Sequence, residues 1–124
     1  MIRTRWRGRR DAQHPGVVSV THTRIARYRD LPAVLRAGAG LLRHWDEHPG
    51  GLGVQVGLDV RRKQSWTVSL WDSDDALRRF VGSRRHRAVV AAHRARVDVR
   101  SRSYSTDAFD RADAWAVARA LGTG

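Results

Sequence analysis

The 124-residue sequence has no cysteine, no asparagine, one lysine and one glutamate. Without cysteine there is no disulfide framework and no thiolate-held zinc or iron–sulfur centre. No apolar run approaches the roughly 18 residues of a membrane helix. No apolar stretch follows the basic N-terminus, so no signal peptide is expected and the reading is a cytoplasmic protein. A phosphate loop, a G-x-G-x-x-G turn, a nucleophile elbow and an EF-hand are all missing. That leaves a protein that works by a pocket or by binding.

What is present suffices for one domain with its own core, since 41% of residues are hydrophobic. The formal charge is +12 and it is segregated. Residues 1–29 carry eight Arg against Asp11, and residues 78–102 carry nine Arg against Asp98. The stretch between them is mildly acidic. Two basic blocks that meet in space make a patch suited to anions.

Residues 1–16 are Arg- and Gly-rich and end at Pro15-Gly16, which suggests a flexible basic arm that Trp6 could dock. The β-branched run from Val17 predicts a strand to about Tyr28. Asp30 and Pro32 open a helix with Leu31, Val34, Leu35, Leu41, Leu42 and Trp45 on one face, weakened by Gly38 and Gly40. Strict alternation from Leu52 to Val60 predicts a strand. The turn Arg61–Gln64 then makes a hairpin with Ser65–Trp71. Ser73 and Asp74 cap a second helix that Gly82-Ser83 kinks before Arg84–Arg96. Val97–Thr106 reads as a strand and residues 107–124 as a C-terminal helix.

The order β-α-β-β-α-β over residues 17–106 predicts an α+β, ferredoxin-like fold with an antiparallel sheet. Leu52, Val54, Val56 and Leu58 with Trp66, Val68 and Leu70 are expected on the face under the helices. Gly53, Gln55, Gly57, Ser65, Thr67, Ser69 and Trp71 are expected on the other. Small residues there suit close approach of a ligand or another sheet; the plainer reading is a solvated face.

The segment from Trp66 to Val81 (WTVSLWDSDDALRRFV), followed by Ser83 and His86, resembles the dimeric α+β barrel superfamily. The likeness is to its antibiotic-biosynthesis-monooxygenase-like and spheroidene-monooxygenase-like members. The resemblance covers about 90 residues by the spacing of its elements. It implies a ferredoxin-like α+β barrel and a homodimer whose sheets face one another around a cavity in each subunit. It also implies a cofactor-independent, monooxygenase-like oxidoreductase as one activity. The haem-degrading members use an Asn, a Trp and a haem-ligating His. This chain has no Asn, and Phe80 and Val90 stand near the other two positions, so haem chemistry is not carried over. No cofactor is required by this reading; haem stays open as a ligand.

His86 and His93 lie two turns apart on the second helical stretch, too far to share a small ion. Each is a proton shuttle, a haem ligand or an ordinary helix histidine. Trp71 is a cavity wall for a flat ligand or an interface aromatic. Ser65, Thr67, Ser69 and Gln55 line the same pocket, with Thr21 from the first strand and Phe80 from the second helix. His22 can take either side of its strand. Arg100, Arg102 and Tyr104 share a face of the last strand and either bind an anionic group or guard an edge. His44 and Glu47-His48 match the inverted zinc motif H-x-x-E-H, but Pro49 ends the helix there and no metal site is assigned.

The expectation is a protein binding a small, flat or aromatic organic molecule, with His86 as its catalytic residue and His93, Arg102 and Tyr104 around the pocket. Two rivals stand beside it. One is a basic anion or nucleic-acid binder using residues 3–10 and 78–102, disfavoured because no nucleic-acid-binding signature is present. The other is a non-catalytic structural or regulatory dimer. No membrane partner is expected.

Overall fold

The computed structural model describes residues 1–123. Six strands form one sheet: β1 (Ile2–Arg3), β2 (Arg7–Gly8), β3 (Gly16–Ile25), β4 (Gly51–Asp59), β5 (Gln64–Trp71) and β6 (Val97–Thr106). Four helices accompany them: α1 (Leu31–Arg43), α2 (Asp74–Val81), α3 (Arg84–His93) and α4 (Arg111–Thr123). The last residue of the expected 107–124 helix, Gly124, lies outside the described residues. The strands pair antiparallel in the order β1-β4-β5-β3-β6, with β2 also on β4. This is the α+β, ferredoxin-like arrangement, extended at its β4 edge by residues 1–16.

Local chemistry sets the helix ends. Ser73 accepts from the Ala76 amide and Ser83 from the His86 amide, so α2 and α3 are separately capped helices on either side of Gly82. Asp30 does not cap α1; its carboxylate pairs instead with Arg96 at 3.8 Å. Among the described residues no helix is long and apolar enough to cross a membrane.

The β4–β5 register overturns the expected division of faces. Asp59 opposes Gln64 across a four-residue turn, so even-numbered residues of β4 pair with odd-numbered residues of β5. Val54, Val56 and Leu58 therefore lie opposite Ser69, Thr67 and Ser65, while Gln55 and Gly57 lie opposite Val68 and Trp66. A shift of one residue exchanges the faces of a whole strand.

Each face has its own core. Val17, Val54 and Trp71 pack with Trp45 and Ala76 beneath α1 and α2. Val18, Val20, Trp66, Val68 and Leu70 pack on the other face with Phe109, Ala114, Trp115 and Ala118 from α4 and the segment leading to it. Trp6 closes the rim of that second core: its ring stands 5.2 Å from Phe109 and its Nε1 donates to the Arg10 carbonyl at 2.7 Å. The β5 residues expected on the open face thus lie under α1 and α2, while Gln55 and Gly57 of β4 face α4.

Candidate functional site

Three rows of side chains cross the sheet under α1 and α2. Val54, Ser69, Ser19 and Ser103 form one row; Val56, Thr67, Thr21 and Ser101 the next; Leu58, Ser65, Thr23 and Val99 the third. Strand alternation puts all of them on one face. The result is a hydroxyl-rich floor bounded by aliphatic β4. Thr21 and Ser101 hydroxyls lie 3.2 Å apart, and Ser69 Oγ donates to the Ser19 carbonyl at 3.4 Å. Thr21, Ser65 and Thr67 remain half-exposed although a helix layer flanks them. Gly38 on α1 has no atom near where a β-carbon would stand, so the helix leaves room beside it.

One end of this floor is an aromatic wall. Trp71 is fully buried and its Nε1 donates to Ser69 Oγ at 2.9 Å. Trp45 and Phe80 each lie 5.0 Å from the Trp71 ring. His48 stands 4.8 Å from Phe80, and His86 stands 4.7 Å from the same ring. The wall forms because the chain doubles back after α1 through a 3-10 turn at Trp45–Glu47 and Gly50, whose φ of +82° is a glycine conformation. The Asp72 amide then donates to the Gly50 carbonyl at 2.8 Å, which pins this turn beside Trp71.

His86 is the chemically prepared member of the group. Its Nδ1 lies 3.1 Å from the Val81 carbonyl. A carbonyl only accepts, so Nδ1 carries the proton and Nε2 of the neutral ring keeps its lone pair. His86 also lines an open groove of about 790 Å3 along α3 with Arg84, Arg87, Val90 and Arg94. A group there meets the His86 ring and guanidinium donors together.

His48 is half-buried against the wall. Burial lowers its proton affinity below the ordinary value; Glu47 opposes this, and Arg85, His86 and His44 add to it. Glu47 itself bridges His44 at 3.3 Å and Arg85 at 3.2 Å. The H-x-x-E-H pair is not presented from one α-helix, since His44 ends α1 and His48 follows the 3-10 turn.

The structure brings Thr21, Ser65, Thr67, Ser69, Trp71, Phe80 and His86 to one side of the sheet, but not three of the other expected pocket residues. Gln55 faces α4, where its Oε1 accepts from Trp115 Nε1 at 2.9 Å and its Nε2 donates to the Thr4 carbonyl at 2.8 Å. Arg102 and Tyr104 pair with Val20 and Val18 and so belong to the α4 face as well. Burial, helped by Asp113, raises the Tyr104 hydroxyl above its ordinary value, so it stays neutral. His93 sits half-buried at the end of α3 with its Nδ1 lacking a partner among the described residues. His22 takes the α4 side, buried beside Trp66, and meets Gln64 at 3.0 Å. Trp45 and His48 stand out in the sequence only as helix core and as a metal-motif histidine. Their signal was Pro49-Gly50-Gly51, a break that returns the chain onto the strand end.

No family model matches the sequence, and no curated protein matches it. Solved structures do. A candidate antibiotic biosynthesis monooxygenase from Deinococcus radiodurans superposes with a TM-score of 0.66 at 15% identity, over 73% of this chain and 91% of that one. The chain shares the ferredoxin-like fold of these solved structures, several of which are described as antibiotic biosynthesis monooxygenases or related to them. SnoaB from Streptomyces nogalater, a cofactor-independent oxygenase, shares this fold at TM-score 0.57 and 16% identity, over 73% of this chain and 91% of its own. So does LmHde, a haem-degrading enzyme from Listeria monocytogenes, at TM-score 0.61 and 16% identity, over 78% and 65%. At these identities the likeness is one of fold, and proteins of this fold differ in chemistry.

Proposed function

We propose that the chain binds a small, flat or aromatic organic molecule and oxidises it as a cofactor-independent, monooxygenase-like enzyme. The observation that carries this reading is His86, fixed by the Val81 carbonyl with Nε2 left basic at the groove beside Phe80. His86 takes a proton from an acidic O–H or C–H of the substrate. The electron-rich anion then reacts with dioxygen. For a phenol going to a quinone, one oxygen atom enters the ring and the other leaves as water with the two hydrogens removed. Arg87 and Arg94 hold an anionic substituent. Thr21, Ser65, Thr67 and Ser69 offer hydroxyls beneath the helix layer, with His93 at the far end of α3.

The unit is residues 17–106, with the arm 1–16 and the helix 107–124 packed on it, working in the cytoplasm. No cofactor is required by this reading; Trp45 and Trp71 are buried against each other beside Phe80. A second copy belongs to the reading. Since α4 covers one sheet face, the copies meet through the outer edge of β6 and the exposed Val89, Val90 and Val99. Sedimentation of the wild type against Val90→Asp tests this.

The deciding experiment follows tryptophan quenching and oxygen uptake with flat polycyclic phenols, for wild type and His86→Gln. Quenching by a phenol, with oxygen uptake lowered about 100-fold or more in the variant, is expected for loss of a general base. A panel that neither quenches nor consumes oxygen overturns the reading in favour of a non-catalytic protein.

A further inference from the structure

The end of the sheet away from Trp71 gathers three basic segments distant in sequence. The Ile25 amide donates to the Lys63 carbonyl at 2.8 Å, and the Ala26 amide to the Arg96 carbonyl at 2.9 Å. The Tyr28 hydroxyl donates to the Arg61 carbonyl at 2.6 Å. These bonds tie residues 24–29, 61–63 and 94–98 into one surface. Three Arg come from the first, Arg61, Arg62 and Lys63 from the second and two Arg from the third, against Asp98 alone. A groove of about 400 Å3 runs between them, lined by Arg24, Arg62, Lys63, Arg96 and Asp98.

Part of this charge is answered. Arg62 reaches Asp59 at 4.0 Å and Arg96 reaches Asp30 at 3.8 Å, both loose pairs. Arg24, Arg27, Arg29, Arg61 and Arg94 form no ion pair among the described residues. Like charges held this close cost stability unless an anion is there to meet them. Beside the groove Tyr28 is 57% exposed. It is not a loose side chain: its hydroxyl is tied to Arg61, and Lys63 Nζ lies 5.0 Å over the ring. Lys63 holds that place through a left-handed backbone, φ +56°.

We propose that this groove binds single-stranded nucleic acid, with phosphates along Arg24, Arg62 and Arg96 and a base stacked on Tyr28. A cationic channel beside a fixed aromatic face is the arrangement that tracks a backbone and stacks an unpaired base. A duplex keeps its bases stacked inside and offers Tyr28 nothing. The site is separate from the His86 groove and does not rest on the oxidation reading. It uses none of residues 3–10 and takes Arg94 and Arg96 from the block at residues 78–102, with the 61–63 turn supplying its centre.

The test is fluorescence anisotropy of a short labelled oligothymidylate over a salt series. Tyr28→Ala is expected to weaken binding about tenfold or more with the salt slope unchanged. Arg24→Ser with Arg62→Ser is expected to flatten the log–log slope by about 0.7 for each phosphate no longer neutralised. All three side chains are at the surface, so the variants should melt like wild type. A variant of the arm, Arg3, Arg5, Arg7 and Arg9 to Ser, should keep most of the affinity. The proposal fails if the arm variant loses binding while the groove variants keep it. It also fails if polyphosphate competes as well as the oligonucleotide and ignores Tyr28, or if duplex DNA or anionic phosphatidylserine vesicles bind more tightly.

Discussion

Trp115 on α4 donates its indole N–H to Gln55 Oε1 on β4 across 2.9 Å. Both residues are buried, and the Gln55 amide also holds the Thr4 carbonyl of the N-terminal segment. One side chain therefore joins the chain's two ends to the sheet. Gln55→Leu removes both bonds and leaves a buried indole N–H unsatisfied. A loss of about 2–4 kcal/mol is expected from two such bonds, read as a lower urea midpoint. An unchanged midpoint would show that α4 is held by its apolar contacts alone.

That pair also shows how far the sequence could be read. The alternation of β4 and β5 was plain, and the bounds of β6, Val97–Thr106, agree with the reading, with Asp98, Arg100, Arg102 and Tyr104 alternating with Val97, Val99, Ser101 and Ser103. The faces depended on something smaller, the parity of the β4–β5 turn. Four residues in the turn make Val56 the partner of Thr67 and send Gln55 to the far side. The turn length was available, but alternation in each strand says nothing of how two strands align. Gln55, Arg102 and Tyr104 left the candidate pocket for the same reason: side of the sheet is a relation between strands. Trp71, Phe80 and His86 come together because capped α2 and α3 follow β5 directly. His48 and Trp45 came to them through a chain reversal that no local periodicity encodes.

α1 carries two interior glycines, Gly38 and Gly40, and a β-carbon at either would meet no atom within 4 Å. Each costs its helix about 0.5–1 kcal/mol relative to alanine. Gly38→Ala and Gly40→Ala should each raise stability by about that amount in thermal or urea unfolding. If the room beside Gly38 admits substrate to the hydroxyl floor, the same change weakens ligand quenching. A stabilised variant with unaltered quenching would place the ligand wholly in the α3 groove.

Gly53 is the seat of Trp6. A β-carbon there would fall inside the indole ring, because the ring lies directly on the β4 backbone. Gly53→Ala is expected to expel Trp6 and release the segment that β2 pins to β4. The readout is trypsin cleavage after Arg5 or Arg7, which should become many times faster while the 17–106 core stays resistant. Equal cleavage of variant and wild type would mean that the segment is already free on the protease's timescale.

The last expectation concerns pH. Burial among Trp45, Trp71 and Phe80 holds His48 below its ordinary value of 6.5, with Glu47 opposing and Arg85, His86 and His44 adding their repulsion. The unfolded chain therefore binds a proton at this residue more readily than the folded one. Its stabilising share is complete above 6.5 and is lost as pH falls through the folded value. Urea unfolding from neutral pH downward should show stability declining in that window, and His48→Phe should flatten the decline. Phe keeps the ring against Phe80, so packing is largely retained while the titrating group is gone. Parallel curves for wild type and variant would assign the acid sensitivity to another group.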